Sequence, residues 1–129
     1  MQVTKTTQLI TSMPDEVGQL AEVLSKVADV GVNILAYAGY VEDGRGVVML
    51  VTEDNSKVVS VLSSAGLSVE ERPVVVARDK DVVGEGATLG RKIADAGVNL
   101  LGAYATAAGG EYITVYWCGD TDALADALQ

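Results

Sequence analysis

Residues 15–35 read DEVGQLAEVLSKVADVGVNIL, and residues 81–101 read DVVGEGATLGRKIADAGVNLL. The two stretches align without a gap at a separation of 66 positions, and the match continues to residues 62 and 128. A repeat of this length is a whole small domain rather than one unit of a solenoid. We therefore predict two domains, residues 1–71 and residues 72–129. The identical pairs that carry this prediction include Asp15 and Asp81, Gly18 and Gly84, Lys26 and Lys92, Gly31 and Gly97, Asn33 and Asn99, and Asp54 and Asp120.

Composition indicates a globular protein, because 49% of the 129 residues are hydrophobic and the mean hydropathy is +0.28. A half of about 60 residues is near the lower limit for an independent core. We therefore expect the halves to pack on each other and on another chain. No apolar run reaches the roughly 18 residues that span a bilayer. The first residues lack the sections of a signal peptide, so the expected location is the cytoplasm.

The charge distribution excludes two classes of binding partner. The formal net charge is −9, and the 9 basic residues are scattered along the chain. Nucleic acids and anionic membranes require a concentration of basic groups, so neither partner is expected. The acidity is explained by the need to keep an apolar protein in solution.

The first half follows the order strand, helix, strand, strand, helix, strand. Pro14 ends a strand over residues 6–12, and Asp15 can cap the following helix. Gly31 is placed to end that helix, and Asp43-Gly44 predicts a hairpin. This order is the split βαβ or ferredoxin-like plan, with helices on one face of an antiparallel sheet. The fold class is therefore α+β, with two such repeats.

The second repeat is incomplete, because the chain stops at Gln129 where the first repeat still has a strand to come. Its first strand, residues 73–78, would then have an open edge that invites pairing. Residues 1–5 or a partner chain could fill this position. The alternative is one long strand over residues 67–78 that serves both halves.

Residues suited to catalysis are scarce. The chain has no histidine, which removes the commonest general base. Its single cysteine, Cys118, allows no disulfide or cysteine metal cage, and lies in an apolar strand as a packing residue. The pattern Gly84-x-Gly86-x-x-x-Gly90 lacks the Lys-Ser/Thr of a phosphate loop. We therefore expect no enzymatic activity, cofactor or metal.

The remaining candidates are the loop before the first helix of each repeat and the asparagine after it. Gly18 and Gly84 let a ligand approach the backbone, and helix N-termini offer N–H groups to a carboxylate. Asn33 and Asn99 offer donors and acceptors at the start of a strand. These groups could hold an amino acid, with Asp15 or Glu16 and Asp81 pairing with its amine.

Each of these residues also has a purely structural interpretation. The two aspartates could be N-caps, and the two asparagines could satisfy the backbone at the helix-to-strand turn. The glycines could permit close packing of helix and sheet. Tyr37, Tyr40 and Tyr104 are better explained as core or interface residues than as ligand contacts.

The pattern resembles tandem ACT-domain proteins over nearly the whole chain. The resemblance is carried by residues 15–24 (DEVGQLAEVL), by residues 28–34 (ADVGVNI), by Glu53-Asp54, and by residues 81–84 and 94–100 of the second copy. The sequence departs from the family pattern at two places. Val17 and Val83 stand where the family usually has proline, and the second repeat has Gly86 at the position that Leu20 occupies in the first.

The resemblance implies a βαββαβ regulatory module that binds amino acids at domain interfaces. Contacts would come from the loop of one domain and the Val-Asn segment of its neighbour. The ligand-binding residues implied in this way are Asp15, Val17, Gly18, Gln19, Asn33, Asp81, Val83, Gly84 and Asn99.

These observations predict a stand-alone, dimeric amino-acid sensor that reports to another protein, for example a regulated metabolic enzyme. The alternative is a ligand-independent module for oligomerisation or protein interaction through sheet edges.

Overall fold

The computed structural model describes residues 1–129, which form six strands and four helices. In chain order these are β1 (Gln2–Pro14), α1 (Gln19–Asp29), β2 (Ile34–Glu42), β3 (Arg45–Thr52), α2 (Asn55–Ser64), β4 (Val69–Lys80), α3 (Glu85–Asp95), β5 (Leu100–Ala108), β6 (Glu111–Cys118) and α4 (Thr121–Leu128). None of the helices is long and apolar enough to cross a lipid bilayer.

The chain divides into two compact units. The first unit is Thr7–Arg72, and the second unit is Met1–Thr6 together with Pro73–Gln129. This division differs from the predicted domains in that the first six residues group with the second repeat and Arg72 groups with the first. The strand order is β2-β3-β1-β4 in the first unit and β1-β4-β6-β5 in the second. The predicted fold class, two ferredoxin-like repeats, is confirmed.

Two long strands supply residues to both units, and one of them provides the missing strand of the second repeat. β4 is one long strand, Val69–Lys80, which supplies residues to both units. β1 does the same, and its first residues provide the strand that the second repeat lacks. Val3 of this segment packs against the core of the second unit. Thus the prediction of an N-terminal strand and its alternative of one long strand both describe the structure.

Each unit has its own hydrophobic core between two helices and the sheet. In the first unit, Val23 and Val27 of α1 and Val58 and Leu62 of α2 pack with Leu50 of β3. The second unit places residues of α3 and α4 in the same way; its buried cluster contains Val75, Ala77, Leu89, Ile93, Tyr116, Leu124, Ala125 and Leu128. Burial of these apolar side chains, at about 25 cal/mol per Å² removed from water, is the main force that holds each helix pair on its sheet.

The turn at the β2–β3 hairpin forms as predicted. Asp43 has a φ of 50° and Gly44 a φ of 75°, the left-handed pair that a type I′ turn requires. The strands beside it pair in antiparallel register from Glu42 opposite Arg45 to Ile34 opposite Thr52.

Neither of the two aspartates that could cap the first helix of its repeat does so. The N-cap of α1 is Gly18 and the N-cap of α3 is Gly84, both left-handed, with no side-chain cap. Asp15 therefore does not cap α1, and Asp81 does not cap α3. In each repeat this glycine lies three residues after the aspartate, so the helix starts later than a cap at the aspartate would require. Val17 lies outside α1 and is fully exposed.

Candidate functional site

The first unit contains an open groove of about 320 Å³ between the loop after β1, the start of α1 and the β2–β3 hairpin. This volume is near the lower end of the range for small-molecule sites. Its lining residues are Met13, Pro14, Asp15, Glu16, Gln19, Leu20, Tyr37, Gly39, Tyr40, Val41, Gly46, Val47 and Val48.

Two glycines help to keep this groove open. Gly46 of β3 lies opposite Met13 of β1, and a Cβ atom on Gly46 would lie 3.1 Å from the Met13 Sδ atom. Gly39 of β2 faces Leu20 at the start of α1, and a Cβ atom on Gly39 would lie 4.0 Å from the Leu20 Cδ1 atom. A larger residue at position 46 would therefore take space from the groove.

The polar side of the groove carries negative charge and free backbone donors. Asp15, Glu16 and Gln19 line it, and none of the lining residues is a lysine or arginine. No side chain caps α1. The Gln19 amide donates to the Glu16 carbonyl at 3.4 Å, whereas the amides of Leu20 and Ala21 have no acceptor within the helix. A ligand with both an ammonium and a carboxylate group fits this combination, because the carboxylates favour the first and the helix N-terminus favours the second.

The apolar side of the groove is formed by exposed aromatic and aliphatic side chains. Tyr37 and Tyr40 are 47% and 44% exposed, and Leu20 is 40% exposed. The two tyrosines are therefore not core residues, and their place at an interface stays a prediction. Partly exposed rings beside a groove offer apolar contact to a ligand while their hydroxyl groups remain in water.

The structure brings together only some of the predicted site residues. Asp15 and Gln19 line the groove, and Gly18 shapes the loop between them. Val17 is on the same loop, but its side chain points to solvent and does not line the groove.

Asn33 lies at the other end of the first unit. The loop after β1 is level with Arg45, since Pro14 pairs with that residue, whereas the Asn33 carbonyl accepts a hydrogen bond from the Glu53 amide at 3.1 Å. The span from Arg45 to Glu53 corresponds to roughly 25 Å of strand. One unit alone therefore does not bring Asn33 and the loop to the same small ligand.

The carboxamides of Asn33 and Asn99 remain available. Both residues are exposed, and neither side chain makes a hydrogen bond within the protein. The interpretation that these side chains serve only to satisfy the backbone is not supported for either repeat.

The loop before the first helix has the same conformation in the second repeat, but the residues next to it differ. Gly84 is again left-handed, with a φ of 86°, Val83 is again fully exposed, and the Asp81 amide donates to the Gly110 carbonyl at 3.0 Å. However, Tyr112 occupies the position that corresponds to Gly46, and Gly86 the position that corresponds to Leu20. A Cβ atom on Gly86 would lie 2.7 Å from the Tyr112 hydroxyl oxygen.

The surroundings of Tyr112 are also more polar than in the first unit. Thr114 and Tyr116 replace Val48 and Leu50, and Glu85, which replaces Gln19, is buried. Burial raises the pKa of Tyr116 above its usual range. The Thr114 hydroxyl is buried without a hydrogen-bond partner of standard geometry, although Tyr116 is close to it.

Sequence reasoning missed the residues that give the groove its volume. Leu20, Gly39 and Gly46 were not among the predicted contacts, although they line the groove. The aligned repeats contain a sequence signal for these residues: Leu20 and Gly46 of the first repeat are replaced by Gly86 and Tyr112 in the second.

Comparison with solved structures identifies proteins of the same fold. Protein BT0572 from Bacteroides thetaiotaomicron superposes with a TM-score of 0.90 at 21% identity, covering 98% of this chain and 88% of that one. The ligand-free regulatory subunit of aspartate kinase from Thermus thermophilus superposes with a TM-score of 0.72 at 15% identity, covering 98% and 93%.

A larger protein also contains this fold. Aspartokinase III of E. coli, in complex with lysine and aspartate, gives a TM-score of 0.60 at 16% identity, covering 98% of this chain and 31% of that one. No protein-family model and no curated protein matches the sequence. The resemblance to ACT-domain proteins is thus confirmed at the level of the fold.

Proposed function

We propose that this protein is a small-molecule sensor that binds an amino acid in the groove of the first unit. The observation that carries the proposal is the combination of two carboxylates, an uncapped helix N-terminus and exposed aromatic rings around one groove. The proposed role is binding rather than turnover.

The groove favours a particular orientation of the ligand. The ammonium group would pair with Asp15 or Glu16, and the carboxylate would accept hydrogen bonds from the first amides of α1. The ligand side chain would then lie on Leu20 and Tyr37. Because no basic residue lines the groove, a ligand with two carboxylates would leave one of them unpaired and near like charges.

The resemblance to ACT domains adds a contribution from a neighbouring domain. In that arrangement an asparagine equivalent to Asn33 or Asn99 completes the contacts of the loop. The distance between Asn33 and the loop in one unit is compatible with this arrangement, because a single unit does not supply both. Asn33→Ala tests the contribution: we propose that it weakens binding without disturbing the groove.

The structural neighbours support a regulatory role. One is a regulatory subunit of aspartate kinase, and another is an aspartokinase seen with lysine and aspartate. By analogy, ligand binding here would favour one conformation through differential affinity and report occupancy to a partner, for example a metabolic enzyme. We propose that the protein acts as a homodimer in the cytoplasm.

Thermal denaturation in the presence of each of the twenty amino acids tests the proposal. A ligand that binds only the folded state raises the melting temperature. We expect a rise with one or two amino acids and its loss in the double variant D15N/E16Q. The control is Asp29→Asn, which removes an exposed charge at the other end of α1. No rise with any amino acid would contradict the proposal.

A second candidate function is assembly without a ligand. The edge strands are β2 in the first unit and β5 in the second, and Leu100–Ala108 contains no charged residue. Uncharged edge strands are surfaces on which other strands can pair. Light scattering would then show a dimer or tetramer whose mass and melting temperature do not change with any amino acid.

A further inference from the structure

We infer that the chain carries one amino-acid site rather than two, because the second unit fills the equivalent position with the phenol of its own Tyr112. The inference rests on the proposed function of the groove in the first unit. It assigns the two repeats different roles: the first is open to a ligand, and the second is permanently occupied from within.

The first step of the argument is the exchange of volume between aligned positions. In the first unit the large side chain, Leu20, is on α1 and the glycine, Gly46, is on β3, and both residues line the groove. In the second unit the strand carries the large side chain, Tyr112, and the helix carries the glycine, Gly86. The total volume is thus partly conserved, but the side chain that fills the space now comes from the sheet.

The second step is the contact itself. The Tyr112 hydroxyl oxygen is so close to Gly86 that an added Cβ atom would approach it to 2.7 Å, and the ring carbon Cζ would be 3.5 Å away. Real Cβ atoms do not approach an oxygen so closely without displacement. Gly86 is therefore the residue that leaves room for the phenol beneath α3.

The third step concerns the chemistry around the phenol. Glu85, only 9% exposed, replaces the groove residue Gln19, and buried Thr114 replaces Val48. Both replacements make this part of the second unit more polar than the corresponding part of the first. The apolar wall that faces the groove in the first unit has no equivalent, since Ala103 and Thr106 replace Tyr37 and Tyr40.

Chemical rescue tests the inference without an amino acid. Tyr112→Ala removes a phenol-sized group, so added phenol at millimolar concentration should raise the melting temperature of this variant. Phenol should not raise that of the wild type or of Tyr112→Phe, which retains the ring. Absence of rescue would overturn the inference.

A second measurement needs no variant. In the wild-type protein, a nuclear Overhauser effect between the Tyr112 ring protons and the Gly86 Hα protons is expected. Its absence in an assigned spectrum would overturn the inference even if Tyr112→Ala failed to fold.

Calorimetry separates this inference from the proposed function. Titration of the full chain with the amino acid that gives the largest thermal shift should show one site per chain. Two equal sites per chain would overturn the inference and leave the proposed function intact. If none of the twenty amino acids binds, the proposed function fails, while phenol rescue and the Overhauser effect still decide how Tyr112 is placed.

Discussion

The hydroxyl oxygen of Tyr112 lies against the backbone of Gly86, 2.7 Å from where a Cβ atom would be. In the first unit the corresponding residues are Gly46 and Leu20, which line an open groove. The same fold therefore occurs twice in one chain. The large side chain is on the helix and the glycine on the strand in the first unit, and the two are reversed in the second unit.

Gly86→Ala tests this contact through stability. Overpacking costs about 1–3 kcal/mol, and the better helix propensity of alanine returns up to about 1 kcal/mol, so we expect net destabilisation in urea unfolding. Gly90→Ala is the matched control, because α3 also contains Gly90 and nothing lies within 4 Å of a Cβ there. It should stabilise the protein by up to about 1 kcal/mol. Equal effects of the two substitutions would contradict the contact.

The Gly102–Trp117 pair predicts a larger effect. A Cβ atom on Gly102 would overlap the Trp117 ring, so Gly102→Ala must displace the indole from β5. We expect a shift of Trp117 fluorescence, the only tryptophan signal of the chain, and a loss of stability of at least about 1–3 kcal/mol. Gly39→Ala serves as control, since its Cβ would make only ordinary contacts. Unchanged emission in Gly102→Ala would show that the indole lies elsewhere.

The helix caps predict that two aspartates of the second unit contribute differently to stability. The Asp120 carboxylate accepts a hydrogen bond from the Ala123 amide at 3.0 Å and caps α4. Asp120→Ala should cost about 1 kcal/mol. Asp81→Ala should cost much less, because Gly84 rather than Asp81 precedes α3. Chemical denaturation of the two variants provides the comparison, and a larger loss in Asp81→Ala would mean that the cap is misplaced.

Alkaline pH should destabilise the protein through Tyr104. Burial raises the pKa of Tyr104 to about 12, above its usual value of about 10. Between these values the folded state holds a proton that the unfolded state has lost, so the contribution of Tyr104 to stability is full below about pH 10 and is lost as the pH rises through about 12. The free energy of unfolding of the wild type should fall more steeply in this window than that of Tyr104→Phe. Parallel curves would contradict the partial burial of this phenol.

Exchanging two residues of the groove for their counterparts in the second unit tests where the ligand binds. The double variant L20G/G46Y gives the first unit the residues of the second at these two positions, so the new phenol should close the groove and abolish amino-acid binding in calorimetry. Val17→Ala is the control, because Val17 is on the same loop but does not line the groove. Retained binding in L20G/G46Y would place the ligand elsewhere.

The repeat and the order of elements were predictable from the sequence because they depend on local signals. Asp43-Gly44 specifies its turn by backbone conformation alone, and Asp54 caps α2, accepting from the Lys57 amide at 3.3 Å. The start of α1 was not predictable in the same way. Asp15 is a suitable cap by residue type, but Gly18 adopts the left-handed conformation and moves the helix start.

The groove depends on contacts that local patterns do not contain. Leu20 and Gly46 are distant in sequence, and they line the same groove only because α1 lies beside the β2–β3 hairpin. The loop prediction therefore found Asp15 and Gln19 but not the residues that determine the volume. The role of Asn33 and Asn99 in a ligand site remains a prediction of the family resemblance.

The central claim is that the first unit binds an amino acid in its groove, and amide chemical-shift mapping tests it most directly. During titration with the amino acid that stabilises the protein, we predict that the largest shifts fall on Gln19, Leu20, Gly39 and Gly46, with small shifts at Gly86 and Tyr112. Largest shifts at Gly86 and Tyr112, or no shifts with any of the twenty amino acids, would contradict the account.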